Sequence, residues 1–353
     1  MTPLPVRDDL AGLPGYHSPQ VVVDVRLNTN ESPYPPPPAW RRAVLEELAA
    51  VPFHRYPDRR ATALREAVGD LHGVGPEAVF AANGSNEVIQ ALCLAYGGVG
   101  RTVAVFEPTY ALHSHIARVT GASVAVGERG AGFALDLDEV SRVLATAGPA
   151  LTFLCSPNNP TGTVDPPEAT AAVLAAAPGL VVVDEAYGQF ATRSALGLAA
   201  GAPNLVVVRT FSKTWALAGL RLGYCVAPPA VVEALETVAL PYHLDAAKQA
   251  AGRLALRYQA EMEARVATLV AERERLVAAL AALAVDVWPS GANFVLFRPR
   301  GRHGAEVWQA LVDRSVLVRN CASWARLEGC LRVTVGTPDE DDAFLAALAE
   351  VLG

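Results

Sequence analysis

Lys213 follows an apolar run and stands among Thr210, Ser212 and, downstream, Arg221. Hydroxyl and guanidinium donors of that kind suit a phosphate. An amine buried beside other cations gives up its proton readily and can condense with a carbonyl. One apolar run earlier, Asp184 ends the stretch LVVVD. A carboxylate at such a place needs a cationic partner or several hydrogen bonds, and a protonated pyridine nitrogen would be that partner. Lysine, carboxylate and phosphate donors together point to pyridoxal 5′-phosphate (PLP).

The elements that must position these groups are legible as short apolar runs: TVAVF (102–106), ASVAV (122–126), LTFLC (151–155), LVVV (180–183) and LVVV (205–208). Runs apolar on both faces, separated by helix-length segments, are what a mostly parallel sheet covered by helices requires, so the fold class is α/β. Four runs deliver polar residues at their carboxyl ends: Glu107-Pro-Thr-Tyr110, Ser156-Pro-Asn-Asn-Pro-Thr-Gly162, Asp184-Glu-Ala-Tyr187 and Arg209-Thr-Phe-Ser-Lys213. Ligand crevices of open parallel sheets lie outside those ends, so one site built from four loops is expected.

Three segments are expected. Residues 1–40 form an N-terminal arm that contains the extended run Ser-Pro-Tyr-Pro-Pro-Pro-Pro at 32–38. Residues 41–230 form a large domain, and 231–353 a smaller α+β domain entered through a long Ala/Leu/Arg/Glu helix at 252–284. In the small domain WPSGANFVLFR, SVLVRN and CLRVTVG read as strands, with helices at 304–314 and 338–351.

Composition narrows the class. The chain of 353 residues is 52% hydrophobic and 18% charged, which argues against disorder. Its formal net charge of -7 argues against nucleic acid as a partner. There is no basic start followed by an apolar run and no stretch of about 18 apolar residues, so a cytoplasmic protein with no membrane partner is expected. Five scattered cysteines without CxxC spacing suggest neither a disulfide framework nor a metal site.

SPNNPTG (156–162), DEAY (184–187) and SKTWALAGLRLGY (212–224) resemble the matching motifs of fold-type-I PLP aminotransferases, and most closely those of the histidinol-phosphate aminotransferase family. LNTNESPY, HRYPD, NGSNE, EPTY, ANFVLF and CLRVTVGT extend the resemblance from about Asn28 to Thr337. It implies a large domain with a mostly parallel central sheet and a smaller α+β domain formed by the C-terminal part and the arm. It also implies that Lys213 attaches the cofactor and later shuttles a proton between Cα and C4′, and that Asp184 pairs with the pyridinium nitrogen. Asn159 and Tyr187 would bond the phenolic oxygen, and Tyr110 would stack on the ring. Thr210, Ser212, Arg221 and the turn Gly84-Ser85-Asn86 would hold the phosphate, the turn also through the helix that follows it. Tyr56 would reach the cofactor of a neighbouring subunit, making a homodimer.

At the substrate end the resemblance gives Arg332 the carboxylate of an amino donor or a 2-oxo acid acceptor, and Arg319 the role of a second cation, with Asn30, Glu31, Tyr16 and Asn293 lining the pocket. The reaction implied is transfer of the amino group of histidinol phosphate to 2-oxoglutarate. The segment 320–330, NCASWARLEGC, departs from the family pattern, and its Trp324 would suit an aromatic substrate. Three other readings therefore stay open: an aromatic amino acid aminotransferase, a PLP decarboxylase of the threonine-phosphate type, and a non-catalytic regulator.

Each residue also has a plainer reading. Asp184 alone would be a turn or helix cap, NNPTG is first of all a turn, Ser85 and Asn86 alone would be a helix cap, and an arginine ending a strand, like Arg319, is commonly solvated.

Overall fold

The structure, a computed structural model, describes residues 6–15 and 21–353. The strands are β1 (Val25–Leu27), β2 (Val79–Ala82), β3 (Thr102–Glu107), β4 (Ser123–Glu128), β5 (Leu151–Cys155), β6 (Leu180–Asp184), β7 (Leu205–Thr210), β8 (Gly223–Val226), β9 (Val285–Val287), β10 (Phe294–Pro299), β11 (Val316–Asn320) and β12 (Leu331–Thr334). The α-helices are α1 (Pro38–Ala49), α2 (Thr62–His72), α3 (Ser85–Tyr96), α4 (Ala111–Val119), α5 (Leu137–Ala147), α6 (Pro167–Ala176), α7 (Pro229–Val238), α8 (Ala246–Ala255), α9 (Gln259–Ala281), α10 (Gly304–Val312) and α11 (Pro338–Leu352).

Seven strands form the large sheet in the order β2-β8-β7-β6-β5-β3-β4. Only β8 runs against its neighbours; β3, β4, β5, β6 and β7 pair in parallel. Every residue of β5, β6 and β7 is buried, because helices cover both faces and β-branched side chains fill the space on each side. Edge strand β4 buries only Gly127. The apolar runs expected as strands are all present. β2 and β8, four residues each, are additional. They are rich in Ala, Gly and aromatic residues rather than in a β-branched run, so the sequence pattern does not separate them from loop.

The second sheet, β1-β11-β12-β10-β9, belongs to the C-terminal part but takes an edge strand from the arm: Val25 pairs in parallel with Val316. The arm is thus woven into the small domain. Packing of the large domain also runs past the boundary expected at 230: α7 lies on α3 and β2, and α8 lies on α1 and α2. The long helix expected at 252–284 is broken. Its first part belongs to α8, Leu256–Tyr258 form a 3-10 turn, and α9 then runs to Ala281. Uniformly strong helix formers hide the break, which packing imposes: a side chain at Gly252 would collide with Leu222, so α8 lies tight against the large domain while α9 turns toward β9 and β10.

Candidate active site

The carboxyl ends of β5, β6 and β7, the β3–α4 loop and the start of α3 surround one cavity of about 410 Å³, closed above by residues of the arm and by Arg319, Trp324 and Arg332 of the small domain. That is the size range of a small-molecule site.

Lys213 enters from the loop after β7. Its Nζ donates to the Thr29 carbonyl at 3.0 Å and lies 5.7 Å from the Tyr187 ring centroid. Burial, and then the Arg332 charge, lowers its pKa to about 7, so near neutral pH a large share of the amine is uncharged. Asp184 ends β6 on the cavity wall. One carboxylate oxygen accepts from the Ala186 amide at 3.0 Å and the other lies 3.0 Å from His113 Nε2. The His113 ring is held by stacking on Phe153 at 4.7 Å and by the edge of Tyr110 at 5.3 Å.

At the other end, α3 starts without a side-chain cap after Gly84, whose φ of 88° is a backbone conformation that favours glycine. A Cβ at Gly84 would come within 2.8 Å of Arg221 Nη2, so the guanidinium lies directly against the turn. Arg221 Nη1 donates to Ser212 Oγ at 3.2 Å, and Thr210 Oγ1 donates to Ser212 Oγ at 3.0 Å. Uncapped helix amides, two hydroxyls and a guanidinium form an anion cradle.

Arg332, in β12, is buried. It donates to Asn159 Oδ1, and to the Asn28 carbonyl at 2.9 Å, while its Nε has no partner among the described residues. Tyr187 is fixed by Asn30 Nδ2 at 2.9 Å, and burial pushes its hydroxyl pKa up. Tyr110 donates to Asn86 Oδ1 at 3.1 Å.

The cavity therefore gathers Ser85, Asn86, Tyr110, Asn159, Asp184, Tyr187, Thr210, Ser212, Lys213, Arg221, Asn30, Glu31, Arg319 and Arg332, all singled out from sequence. Gly84 shapes the turn behind them. Asn293, expected to line the pocket, is instead buried outside its lining, just before β10, and donates to the Asn30 carbonyl of the arm at 3.2 Å. Tyr56 stands outside the cavity, 80% exposed and stacked on Tyr242 at 4.5 Å. Tyr16 lies outside the described residues. Sequence reasoning missed His113 and the Thr29 carbonyl. His113 falls three residues after Tyr110 and so on the same helical face, a signal that was present; a backbone acceptor leaves none.

A buried lysine that readily gives up its proton, a carboxylate backed by a histidine, and an anion cradle, all in one cavity, fit the carbonyl, ring nitrogen and phosphate of PLP. The α/β fold and this site define a PLP-dependent transferase. Residues 23–348 match the family of class I and II aminotransferases. The chain is 49% identical to histidinol-phosphate aminotransferase of Thermobifida fusca, over 99% of this chain and 96% of that one, and 47% identical to that of Frankia casuarinae, over 99% and 90%. The fold is shared with the PLP complex of histidinol-phosphate aminotransferase from Sinorhizobium meliloti, at a TM-score of 0.88 and 24% identity over 98% of this chain and 97% of that one. The chain belongs to the histidinol-phosphate aminotransferase family and is a PLP-dependent aminotransferase, acting on an amino donor and a 2-oxo acid. Among the described residues no helix is long and apolar enough to cross a membrane.

Proposed function

We propose that the enzyme is a cytoplasmic histidinol-phosphate transaminase of histidine biosynthesis, converting histidinol phosphate and 2-oxoglutarate to imidazole acetol phosphate and glutamate. The observation that carries this reading is the presence of two arginines, Arg319 and Arg332, at one end of the cavity that holds Lys213. Histidinol phosphate has no carboxylate, so its phosphate must be met by the cations that also receive glutamate's carboxylate, and two guanidinium forks suit both.

PLP, when bound, supplies the electron sink for the charge left on the substrate Cα. Asp184, oriented by His113 and the Ala186 amide, would hold a negative charge against the ring nitrogen. Asn159 and Tyr187 would bond the phenolic oxygen, Tyr110 would cover the ring, and Ser85, Asn86, Thr210, Ser212 and Arg221 would hold the phosphate, all of them lining the one cavity. Lys213 Nζ would hold the cofactor at rest, take up the Cα proton of the donor, and in the return half give a proton back to the Cα of the acceptor. A pKa near neutrality suits both directions. Asn30 fixes Tyr187, and the arm residues around Asn30 and Glu31 keep water from the reacting atoms.

The protein acts as a homodimer. Phe53, Tyr56 and Leu240 are each more than two-thirds exposed, and Tyr56 stacks on Tyr242. Exposed apolar residues gathered in this way suit a second copy of the chain, and a tyrosine standing out from it can reach the neighbour's phosphate cradle.

The test presents histidinol phosphate, phenylalanine and glutamate in turn to the enzyme, with cofactor absorbance as readout. Histidinol phosphate and glutamate should both convert the cofactor to its amine form. A silent histidinol phosphate beside an active phenylalanine would overturn the substrate assignment in favour of an aromatic aminotransferase. Lys213→Ala should lose both the covalent absorbance band and turnover.

A further inference from the structure

We propose that Trp324 is a specificity-determining positioning residue. It holds Arg319 at the anion-binding end of the cavity by stacking against the guanidinium, while its own indole is tied to the large domain. This rests on the reading above that Arg319 and Arg332 together meet the substrate's anionic end.

The two arginines stand opposite each other in adjacent antiparallel strands, Arg319 of β11 paired with Arg332 of β12. Like charges directly across a ladder repel, and each must be held if both are to face one ligand. Arg332 is anchored by Asn159 and the Asn28 carbonyl. Arg319 has an aromatic face: its Cζ lies 5.1 Å from the centroid of the Trp324 ring. That contact draws the cation toward the ring and fixes its plane.

The Trp324 ring is itself held. Its Nε1 donates to the Thr109 carbonyl at 3.1 Å, in the residue before Tyr110. The segment that carries it is fastened to the large domain a second time, where Arg326 donates to the Arg129 carbonyl and lies 3.7 Å from Glu128. Phe133 completes the fastening by packing with Leu296, Cys321, Leu327 and Cys330. The indole is therefore a strut between the loop that places Tyr110 and the arginine that meets the substrate. A substrate whose far end is doubly charged gains from both guanidiniums. One ending in a neutral ring gains nothing from Arg319, so the strut selects for the anionic end.

The test is a double-mutant cycle on the PLP-loaded enzyme, with succinate, a non-reacting dicarboxylate, as a calorimetric probe. Trp324→Ala should weaken succinate by about 10-fold and raise KM for 2-oxoglutarate by a similar factor, with kcat within about 3-fold. Trp324→Phe keeps a ring face without the N–H and should cost about 3-fold. In an Arg319→Gln background Trp324→Ala should add less than about 2-fold, because its effect passes through the arginine. An equal loss in that background, or a fall in kcat with succinate binding unchanged, would overturn the proposal. Cofactor absorbance and thermal unfolding report whether each variant is folded; should Trp324→Ala fail, the Trp324→Phe cycle reads the same coupling. A wrong donor assignment would show separately, as no turnover of histidinol phosphate by the unsubstituted enzyme.

Discussion

At the scale of single residues, Lys213 couples the chemistry to pH. Its pKa lies at about 7 in the folded chain against an ordinary 10.5, because burial and Arg332 disfavour the charged form. Between those values the unfolded chain holds a proton that the folded chain lacks, so this group makes the cofactor-free protein more stable as pH rises from about 7 to about 10. Lys213→Met should remove that contribution. Thermal unfolding of the cofactor-free proteins should then show the unsubstituted chain gaining on the variant across this window. Parallel curves would mean the amine is not desolvated. His113 shows how far residue types alone can be read. A histidine on an apolar helix face is more often core than functional, and only its 3.0 Å approach to Asp184 separates the two cases.

Single elements carry their own electrostatics. α11 opens with a capping box, in which Thr337 accepts from the Glu340 amide and Glu340 reaches back to the Thr337 amide. One turn in, Asp341 is fully buried. Its Oδ1 accepts from the Gly336 amide at 3.0 Å, and its other oxygen has no partner among the described residues. Burial first, and then the neighbouring Glu272, pushes its pKa up to about 8. The folded chain thus keeps a proton that the unfolded chain releases from about pH 4 upward, and stability falls with pH between about 4 and 8 on account of this group. Asp341→Asn keeps the acceptor and removes the charge. It should stabilise the protein at pH 8 and be near neutral at pH 4, as denaturant unfolding at the two pH values would show. A variant less stable at pH 8 would mean that the carboxylate is needed there. Strands also differed in legibility. Runs such as LTFLC and LVVV declare a buried parallel strand by composition alone. VFAA, GYCV and VRL do not, because each is short and becomes a strand only through its partner.

For the whole molecule, the four-loop site was readable because the carboxyl ends of parallel strands converge wherever such a sheet forms. What could not be read was how the residues that close it are held. The contacts of Thr29 with Lys213, of Trp324 with Thr109 and of Asn293 with Asn30 join segments hundreds of residues apart. They depend on how the second sheet sits over the first, which no local pattern encodes. The patch at Phe53, Tyr56, Leu240 and Tyr242 belongs to this scale too. If the proposed dimer forms through this patch, Leu240→Asp should shift the protein toward monomer in sedimentation velocity and lower cofactor affinity, since Tyr56 would leave the neighbouring cradle. A dimer of unchanged strength would place the interface elsewhere.

The weaving of β1 into the small sheet also sets an order of events during synthesis. By the time Tyr258 has been made, every strand of the large sheet exists and can pair. β1, made long before, still lacks β11, and the backbone around Thr29 and Asn30 cannot be fixed over Lys213 until β12 supplies Thr334 to hold Asn30. The lysine thus remains uncovered on the growing chain until the last strand is in place, and cofactor capture can precede the sealing of the site.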